Sequence, residues 1–279
     1  MKLYKVIVLI FISTFTTSIA ASEKDPAYLK GIALMNAGDY KSAKRIFEDL
    51  SIKGDKDAVV TLGTMYILGS GVKINYRKAM KIFESSPKNP GALAGIANMY
   101  LQGLGVEKNY SKAFSYFKQA ADSGHSAAIN NIGSMYTQGI GVKSDYKLGC
   151  DWFEKAANRD NIDAKMNLAT CYLEGKGRGK DPSKAFMIIK EAAEKTKHMQ
   201  AQYNLGIMYY QGIGVEQNTS KALHWLNQSA NQGYVDAMNA SGLVHTQGLA
   251  AEINYSKGFS WFVEAAKYGH PEKPDQVRD

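Results

Sequence analysis

Apolar side chains recur at helical spacing along most of this chain, in two alternating kinds of segment. In residues 126–138, Ile129, Ile132 and Tyr136 lie three or four residues apart, which predicts a short amphipathic helix. In residues 111–123, Ala113 and Phe117 mark the buried face of a second helix. We name these two kinds A and B helices. At about 11 to 14 residues each, neither kind is stable alone, so they must pack against neighbours.

The chain repeats the phrase Met-Tyr-x-x-Gly-x-Gly-Val between its A and B helices. Copies begin at Met65, Met99, Met135 and Met208, and degenerate copies begin at Cys171 and Val244. The leading glycines are 34, 36, 36, 37 and 36 residues apart. A fixed period of this size predicts stacked helix pairs rather than one closed globule. We therefore expect an all-α solenoid of about seven antiparallel helix pairs.

Recurring small and polar residues mark the helix ends and contacts. The leading glycine of each phrase, such as Gly139, is expected to end its A helix in the left-handed conformation. Asn or Asp stands where each B helix begins, as at Asp145, and its side chain would cap that helix. A small residue such as Gly133 recurs in the middle of each A helix. A side chain would block close approach there, so we expect a neighbouring helix to pack tightly against this position.

The beginning of the chain carries an export pattern. Lys2 and Lys5 precede an apolar run at residues 6–12, and small residues end at Ala20. This pattern predicts a signal peptide over residues 1–20, cleaved after Ala20. A membrane anchor is the alternative, but the run is shorter than the roughly 20 residues that a span needs. We therefore expect a soluble periplasmic or secreted protein.

The pattern as a whole resembles the Sel-one-like repeat, a relative of the tetratricopeptide repeat with a longer loop between its helices. Its best copy, residues 201–233, contains Asn204-Leu205-Gly206, Tyr209, Gly214-Val215 and Trp225. The resemblance covers about residues 57–269. We expect residues 21–56 to form a capping helix pair, residues 57–269 six repeats, and residues 270–279 a disordered tail.

This resemblance implies a right-handed α-solenoid whose A helices line a concave face. It implies an adaptor, inhibitor or scaffold rather than a catalyst, and for exported bacterial members a role in envelope assembly, signalling or host contact. The positions expected to face inward lie two residues before, two residues after and five residues after Leu205 and its counterparts in the other A helices. The candidate groove residues are Asn98, Leu101, Asn130, Ser134, Thr137, Thr170, Leu173, Tyr203, Ile207, Tyr210 and Asn239.

The candidate groove is uncharged, which favours an extended or helical protein segment held by apolar and amide contacts. Tyr203 and Tyr210 are the candidate anchors, because tyrosine is enriched at binding hot spots. Packing between repeats is the alternative role for these two rings. A carboxylate clamp would need inward-facing lysine or arginine, and we find only Lys165 in the predicted A helices of the repeats.

The net charge is mildly positive. The sequence holds 34 Lys plus Arg and 26 Asp plus Glu, or 32 and 26 without Lys2 and Lys5. Most of the excess falls on the B helices, hence on the convex side. Such a face allows weak contact with anionic envelope polymers, and a merely solvated face is the alternative. We expect a monomer that binds a protein partner and no nucleic acid.

The two cysteines suggest a bond between consecutive helices. Cys150 stands at a B-helix position that Phe114 and Phe186 occupy in other repeats. Cys171 stands at an A-helix position that methionines occupy in other repeats. Both replace large core residues, so we predict a Cys150–Cys171 disulfide, which export to an oxidising compartment would permit. Two buried free thiols are the alternative.

Catalytic motifs are weak. Ser115-x-x-Lys118 and Ser144-x-x-Lys147 match a motif of penicillin-recognising enzymes, and some cysteine-rich relatives have been linked to penicillin binding. This chain lacks their cysteine pair in each repeat, so we predict no enzyme. A penicillin-binding or β-lactamase-like enzyme, an inhibitor or immunity protein of an envelope enzyme, and a cell-wall glycan binder remain as alternatives. The scattered histidines lack metal-ligand spacing, so no metal or cofactor is predicted.

Overall fold

The computed structural model describes residues 25–246 and 254–269, which form fourteen α-helices and no strand. The helices are α1 (Pro26–Asn36), α2 (Tyr40–Ile52), α3 (Lys56–Leu68), α4 (Tyr76–Glu84), α5 (Pro90–Gln102), α6 (Tyr110–Asp122), α7 (Ser126–Gln138), α8 (Tyr146–Ala157), α9 (Ile162–Glu174), α10 (Pro182–Thr196), α11 (Met199–Gln211), α12 (Thr219–Ala230), α13 (Val235–Thr246) and α14 (Tyr255–Gly269). Odd-numbered helices are the A helices and even-numbered helices the B helices. The predicted all-α solenoid class is confirmed. The predicted signal peptide and tail lie outside the described residues.

The chain divides into two compact units, residues 1–131 and residues 132–279. In the first unit, the buried core includes Phe47, Met65 and Phe83. In the second, Leu205 and Leu226 are fully buried between α11 and α12. Each core runs along a series of helix pairs, as expected when a single pair cannot bury its own apolar face.

The predicted helix ends are confirmed within the described residues, and Gly248, the leading glycine of the last phrase, lies outside them. The caps of α4 and the later B helices each accept the backbone N–H three residues later at 2.9 Å, and they are Asn75, Asn109, Asp145, Asp181, Asn218 and Asn254. The backbone N–H of the same cap closes the loop, as where Asp145 donates to the Tyr136 carbonyl at 2.9 Å. Gly139 has φ 69°, the left-handed conformation expected of it. An unexpected cap begins α7, where His125 Nδ1 accepts the Ala128 N–H at 3.2 Å.

Three B helices differ from the expected length. Helix α4 has 9 residues, while α10 and α14 have 15. Ser85 caps α4 and Pro87 lies two residues later. Because a proline disfavours helical conformation at the residue before it, α4 cannot continue to the usual length. Helix α10 ends one turn later, at Thr196, and its C-cap Lys197 adopts the left-handed conformation that glycine takes in other repeats.

Close approach within a repeat occurs where the recurring small residue predicted it. A Cβ added to Gly63 would lie 2.3 Å from the Phe83 ring, and one added to Gly133 would lie 2.6 Å from the Phe153 ring. The large B-helix side chain therefore fills the space above the A-helix backbone. The prediction of tight packing at this position is confirmed.

The second glycine of the phrase makes the contact between repeats, a role that its place in the sequence did not reveal. A Cβ on Gly71 would lie 2.1 Å from the Tyr40 Cβ, and one on Gly214 would lie 2.0 Å from the Pro182 carbonyl oxygen. In both units the loop therefore rests on the first residue of the preceding B helix. Only glycine fits, because the backbone also has positive φ at both positions.

Candidate functional site

Consecutive A helices lie side by side within each unit. In the first unit, the Tyr28 and Thr61 hydroxyls lie 3.1 Å apart and link α1 to α3. In the second, Asn204 Nδ2 lies 3.8 Å from Met166 Sδ and links α11 to α9. The predicted groove residues lie on these A helices, and we refer to them as the A-helix face of each unit.

In the first unit, the A-helix face is made of two asparagines and one leucine. Asn98 and Asn130 are half-buried, whereas Leu101 is only 8% exposed. Leu101 is therefore a core residue more than a surface available to a partner. The candidate contacts of this unit are the two asparagines.

In the second unit, the A-helix face includes partly exposed aliphatic and aromatic side chains. Ser134, Thr170, Leu173, Ile207 and Tyr210 are half-buried, and Asn239 is exposed. Thr170 Oγ1 donates to the Met166 carbonyl at 3.0 Å. Because this donor is used within its own helix, Thr170 offers a methyl group and oxygen lone pairs to its surroundings.

Thr137 lies against its own B helix. Its methyl group occupies the space where a Cβ on Gly149 would come within 2.5 Å. Thr246 and Gly258 repeat this arrangement, also at 2.5 Å. In the other repeats, alanine stands at the glycine position and Ile, Leu or Tyr at the threonine position. The branched threonine and the missing methyl of glycine therefore compensate each other, and Thr137 serves packing within its repeat.

Tyr203 also packs between repeats. Its ring centroid lies 5.2 Å from that of Tyr234, and both rings pack against a cluster containing Met238. Burial, followed by the nearby Asp236 carboxylate, raises the pKa of Tyr203 and raises that of Tyr234 to about 12. The Tyr203 ring thus connects α11 to the start of α13. This contact matches packing between repeats, which was the alternative to a role as a binding anchor.

Charge is nearly absent from the A-helix face. Helices α5, α7 and α11 contain no Asp, Glu, Lys or Arg. Lys165 in α9 has only 8% of its side chain exposed, and its Nζ lies 2.9 Å from Asp160 and 3.2 Å from Glu191. Burial opposes its charge, but the hydrogen bonds to both carboxylates outweigh this and raise the pKa of Lys165. One expectation is wrong: α3 begins at Lys56, so Lys165 is not the only lysine in these A helices.

The B-helix lysines are largely occupied by contacts within the protein. Four of them place Nζ over the tyrosine ring of the phrase in the same repeat: Lys78 over Tyr66 at 4.4 Å, Lys112 over Tyr100 at 5.1 Å, Lys184 over Tyr172 at 4.5 Å and Lys221 over Tyr209 at 5.5 Å. Such cation–π contacts stabilise the A–B pairing. Sequence reasoning missed them, although the constant spacing from tyrosine to lysine was a usable signal.

Two links join α8 to the next repeat. Cys150 and Cys171 form a disulfide with an S–S distance of 2.07 Å and a Cα–Cα distance of 6.3 Å, so the predicted bond is confirmed. Arg178 Nη2 lies 2.8 Å from Asp151 and 2.6 Å from Glu154 on α8. Arg178 replaces the valine of the phrase, and its ion pairs account for this departure.

Residues of the two Ser-x-x-Lys motifs make contacts within a helix or at a helix end. Lys118 pairs with Asp122 one turn later, and Ser144 Oγ donates to the Thr137 carbonyl at 3.3 Å. Among residues 25–246 and 254–269, no group of three or more His, Cys, Asp or Glu side chains could hold a metal ion. Within the same residues, no helix is both long and apolar enough to span a bilayer.

The comparisons with solved structures agree with this repeat architecture. A Sel1 repeat protein from Oxalobacter formigenes is 29% identical with a TM-score of 0.75, over 86% of this chain and 99% of that one. A protective antigen present in uropathogenic Escherichia coli strains is 26% identical with a TM-score of 0.67, over 87% of this chain. The match covers 54% of that antigen, so this chain spans about half of its length. Among curated proteins, none matches this sequence significantly.

A family model described as the Sel1 repeat matches six consecutive segments. They are residues 58–86, 90–125, 126–161, 162–196, 200–234 and 235–270. Together they cover most of the chain, and each spans all or nearly all of one A helix together with the B helix that follows it. The chain belongs to the Sel1 repeat family.

Proposed function

We propose that this protein is a non-catalytic scaffold or adaptor of the bacterial envelope, which binds a partner protein on the A-helix face. Sel1 repeat proteins generally mediate interactions between proteins. For this chain, the proposed site is the A-helix face of the second unit, with the two asparagines of the first unit as a separate contact. The partner segment is uncharged, and extended or helical.

The observation that carries this proposal is the absence of charge from the A-helix face. Ile207 and Tyr210 come from α11, which contains no charged residue, and Thr170 and Leu173 lie on the neighbouring A helix. Half-buried aliphatic and aromatic side chains bind by desolvation, while amides such as Asn239 can pair with a partner's main chain. None of these five side chains offers a counter-charge to a charged segment.

The disulfide supports an oxidising compartment, since such bonds persist outside the reducing cytosol. Together with the export pattern over residues 1–20, it favours the periplasm or secretion. Contact with anionic envelope polymers through the B helices is the weaker part of the proposal, because several of their lysines already pair with tyrosine or carboxylate groups.

Site-specific photocrosslinking tests the proposed face. A photoreactive phenylalanine analogue replaces Ile207, and a matched variant carries it at Met187, an exposed residue of α10. Cells that produce each variant are irradiated and the crosslinked products are identified by mass spectrometry. We expect a single protein species to be crosslinked from position 207 and not from position 187.

A second substitution distinguishes binding from chance proximity. Thr170→Lys places a charge on the same face without touching the core, so it should remove the crosslink while the helical content stays unchanged. Equal crosslinking from both positions, or a crosslink that Thr170→Lys leaves intact, would contradict the proposed face. Covalent labelling of Ser115 or Ser144 by a fluorescent penicillin would contradict the proposal that the protein is not a catalyst.

A further inference from the structure

Helix α14 exposes a stripe of apolar side chains. Tyr255 and Phe259 are each 68% exposed and Val263 is 42% exposed. Ala266 is exposed as well. These four residues lie at positions i, i+4, i+8 and i+11 of one helix, so they share one side of it. We name this set the α14 stripe.

Two of these positions, those of Phe259 and Ala266, are more buried in the earlier repeats of the second unit. Phe186 in α10 corresponds to Phe259, and its ring packs edge-on against Tyr209 of the next A helix at 5.3 Å. Cys150 in α8 also corresponds to Phe259 and is fully buried. The counterparts of Ala266 include Ala157 and Ala193, which are 6% and 1% exposed. At Phe259 and Ala266, α14 therefore exposes a surface of the kind that one repeat presents to the next. Tyr146, the counterpart of Tyr255 in α8, is itself 43% exposed.

Val263 distinguishes the α14 stripe from the corresponding surface of the other B helices. The residues at its position in the other six B helices are all polar: Glu48, Glu84, Lys118, Glu154, Lys190 and Asn227. An apolar residue therefore appears at this position only in the B helix that no subsequent A helix covers in the described structure. This widens the apolar stripe beyond what packing between repeats requires.

We propose that the α14 stripe binds the same stripe of a second copy, forming a two-fold symmetric dimer. An isologous contact needs one self-complementary patch, and an apolar stripe along one side of a helix can pack against its own copy.

The exposed area fits a weak dimer. With about 200 Å² for each aromatic side chain, the stripe exposes on the order of 350 Å² of apolar surface. A standard interface buries about 800 Å² on each partner, of which a little over half is apolar. The stripe therefore supplies most of the apolar part, and polar residues beside it would supply the rest.

The charges of α14 permit this contact. Lys267 Nζ lies 2.7 Å from Glu264 within the same helix, which neutralises that pair. Of the charged residues in α14, only Lys257 is then left without a carboxylate in the helix. Two copies would therefore meet with little like-charge repulsion. This proposal replaces the monomer expected from the sequence, and it does not depend on the partner proposed for the A-helix face.

Sedimentation equilibrium of the mature chain tests the dimer. We expect reversible dimerisation with a dissociation constant on the order of tens of micromolar. Phe259→Lys should weaken it at least about tenfold, because it puts two charges into an apolar contact. Met187→Lys is the matched control, since Met187 is also 68% exposed but lies on α10. It should leave the dissociation constant unchanged.

A cysteine crosslink gives a second measurement that does not require a disruptive variant. Cys150 and Cys171 are bonded to each other, so Val263→Cys introduces the only free thiol of the mature chain. Mild oxidation should give a covalent dimer, whereas Met187→Cys should not. A monomer at several hundred micromolar, a dimer that Phe259→Lys leaves intact, or equal crosslinking from position 187 would overturn the proposal.

Discussion

The disulfide between α8 and α9 should be a large local contribution to stability. The perturbation is reduction of the wild-type protein, compared with the double variant Cys150→Ala/Cys171→Ala. The cysteines are 21 residues apart. A crosslink that closes a loop of this length lowers the entropy of the unfolded chain by an amount worth about 3 kcal/mol. With a urea m-value of about 2 kcal/mol/M, the unfolding midpoint should fall by about 1.5 M.

Tryptophan fluorescence in a Trp225→Phe/Trp261→Phe background provides the assay. Trp152 is then the only tryptophan, and it lies in α8 two residues after Cys150. The double cysteine variant is the control, since reductant should leave its midpoint unchanged. A wild-type shift below about 0.3 M would refute the reasoning, because it would show that the repeats hold the unfolded loop closed without the bond. An equal shift in the variant would show that reductant acts elsewhere.

Local geometry supports three more predictions. In urea unfolding, Gly214→Ala should destabilise the protein by at least about 2 kcal/mol more than Gly233→Ala. Both glycines have positive φ, but only a Cβ at Gly214 would clash with backbone atoms, which belong to Pro182. Burial lowers the pKa of His125, so its contribution to stability is complete above pH 6.5 and is lost as the pH falls below that value. The variant His125→Asn keeps an acceptor for the helix cap but has no titrating group. It should raise the free energy of unfolding at pH 5 by about 1 kcal/mol and raise it less at pH 7.5. Equal gains at the two pH values would contradict this prediction. In an alkaline titration, Tyr234→Phe should remove a late rise in phenolate absorbance near pH 12, and loss of an earlier phase instead would count against burial of Tyr234.

The fold was accessible from sequence because the same local chemistry recurs six times. The asparagine and aspartate caps, the left-handed Gly139 and the close approach at Gly133 each depend on a single residue type, and repetition separates such signals from chance. The disulfide could be predicted for a similar reason, since Cys150 and Cys171 both depart from a repeated core phase. Helix lengths were less accessible, because the early end of α4 depends on a proline outside the repeated pattern.

The candidate site was less predictable, because phase gives the direction of a side chain but not its neighbours. Leu101, Thr137 and Tyr203 stand at positions expected to face inward. In the structure, Leu101 is buried in the core, Thr137 packs against α8 and Tyr203 packs against Tyr234. The neutrality of the face was predictable, since α11 contains no charged residue. The exposed stripe was missed because Phe259 has the same phase as buried residues, and its exposure depends on whether another helix packs over it.

The pairing of Thr137 with Gly149, and of Thr246 with Gly258, limits how this solenoid can be recombined. A B helix with alanine at the glycine position would place its methyl group on the threonine methyl. A glycine-bearing helix moved to another repeat would leave a gap. Engineered or evolved chimeras of this chain should therefore tolerate exchange of whole repeats, with both helices together, far better than exchange of single helices.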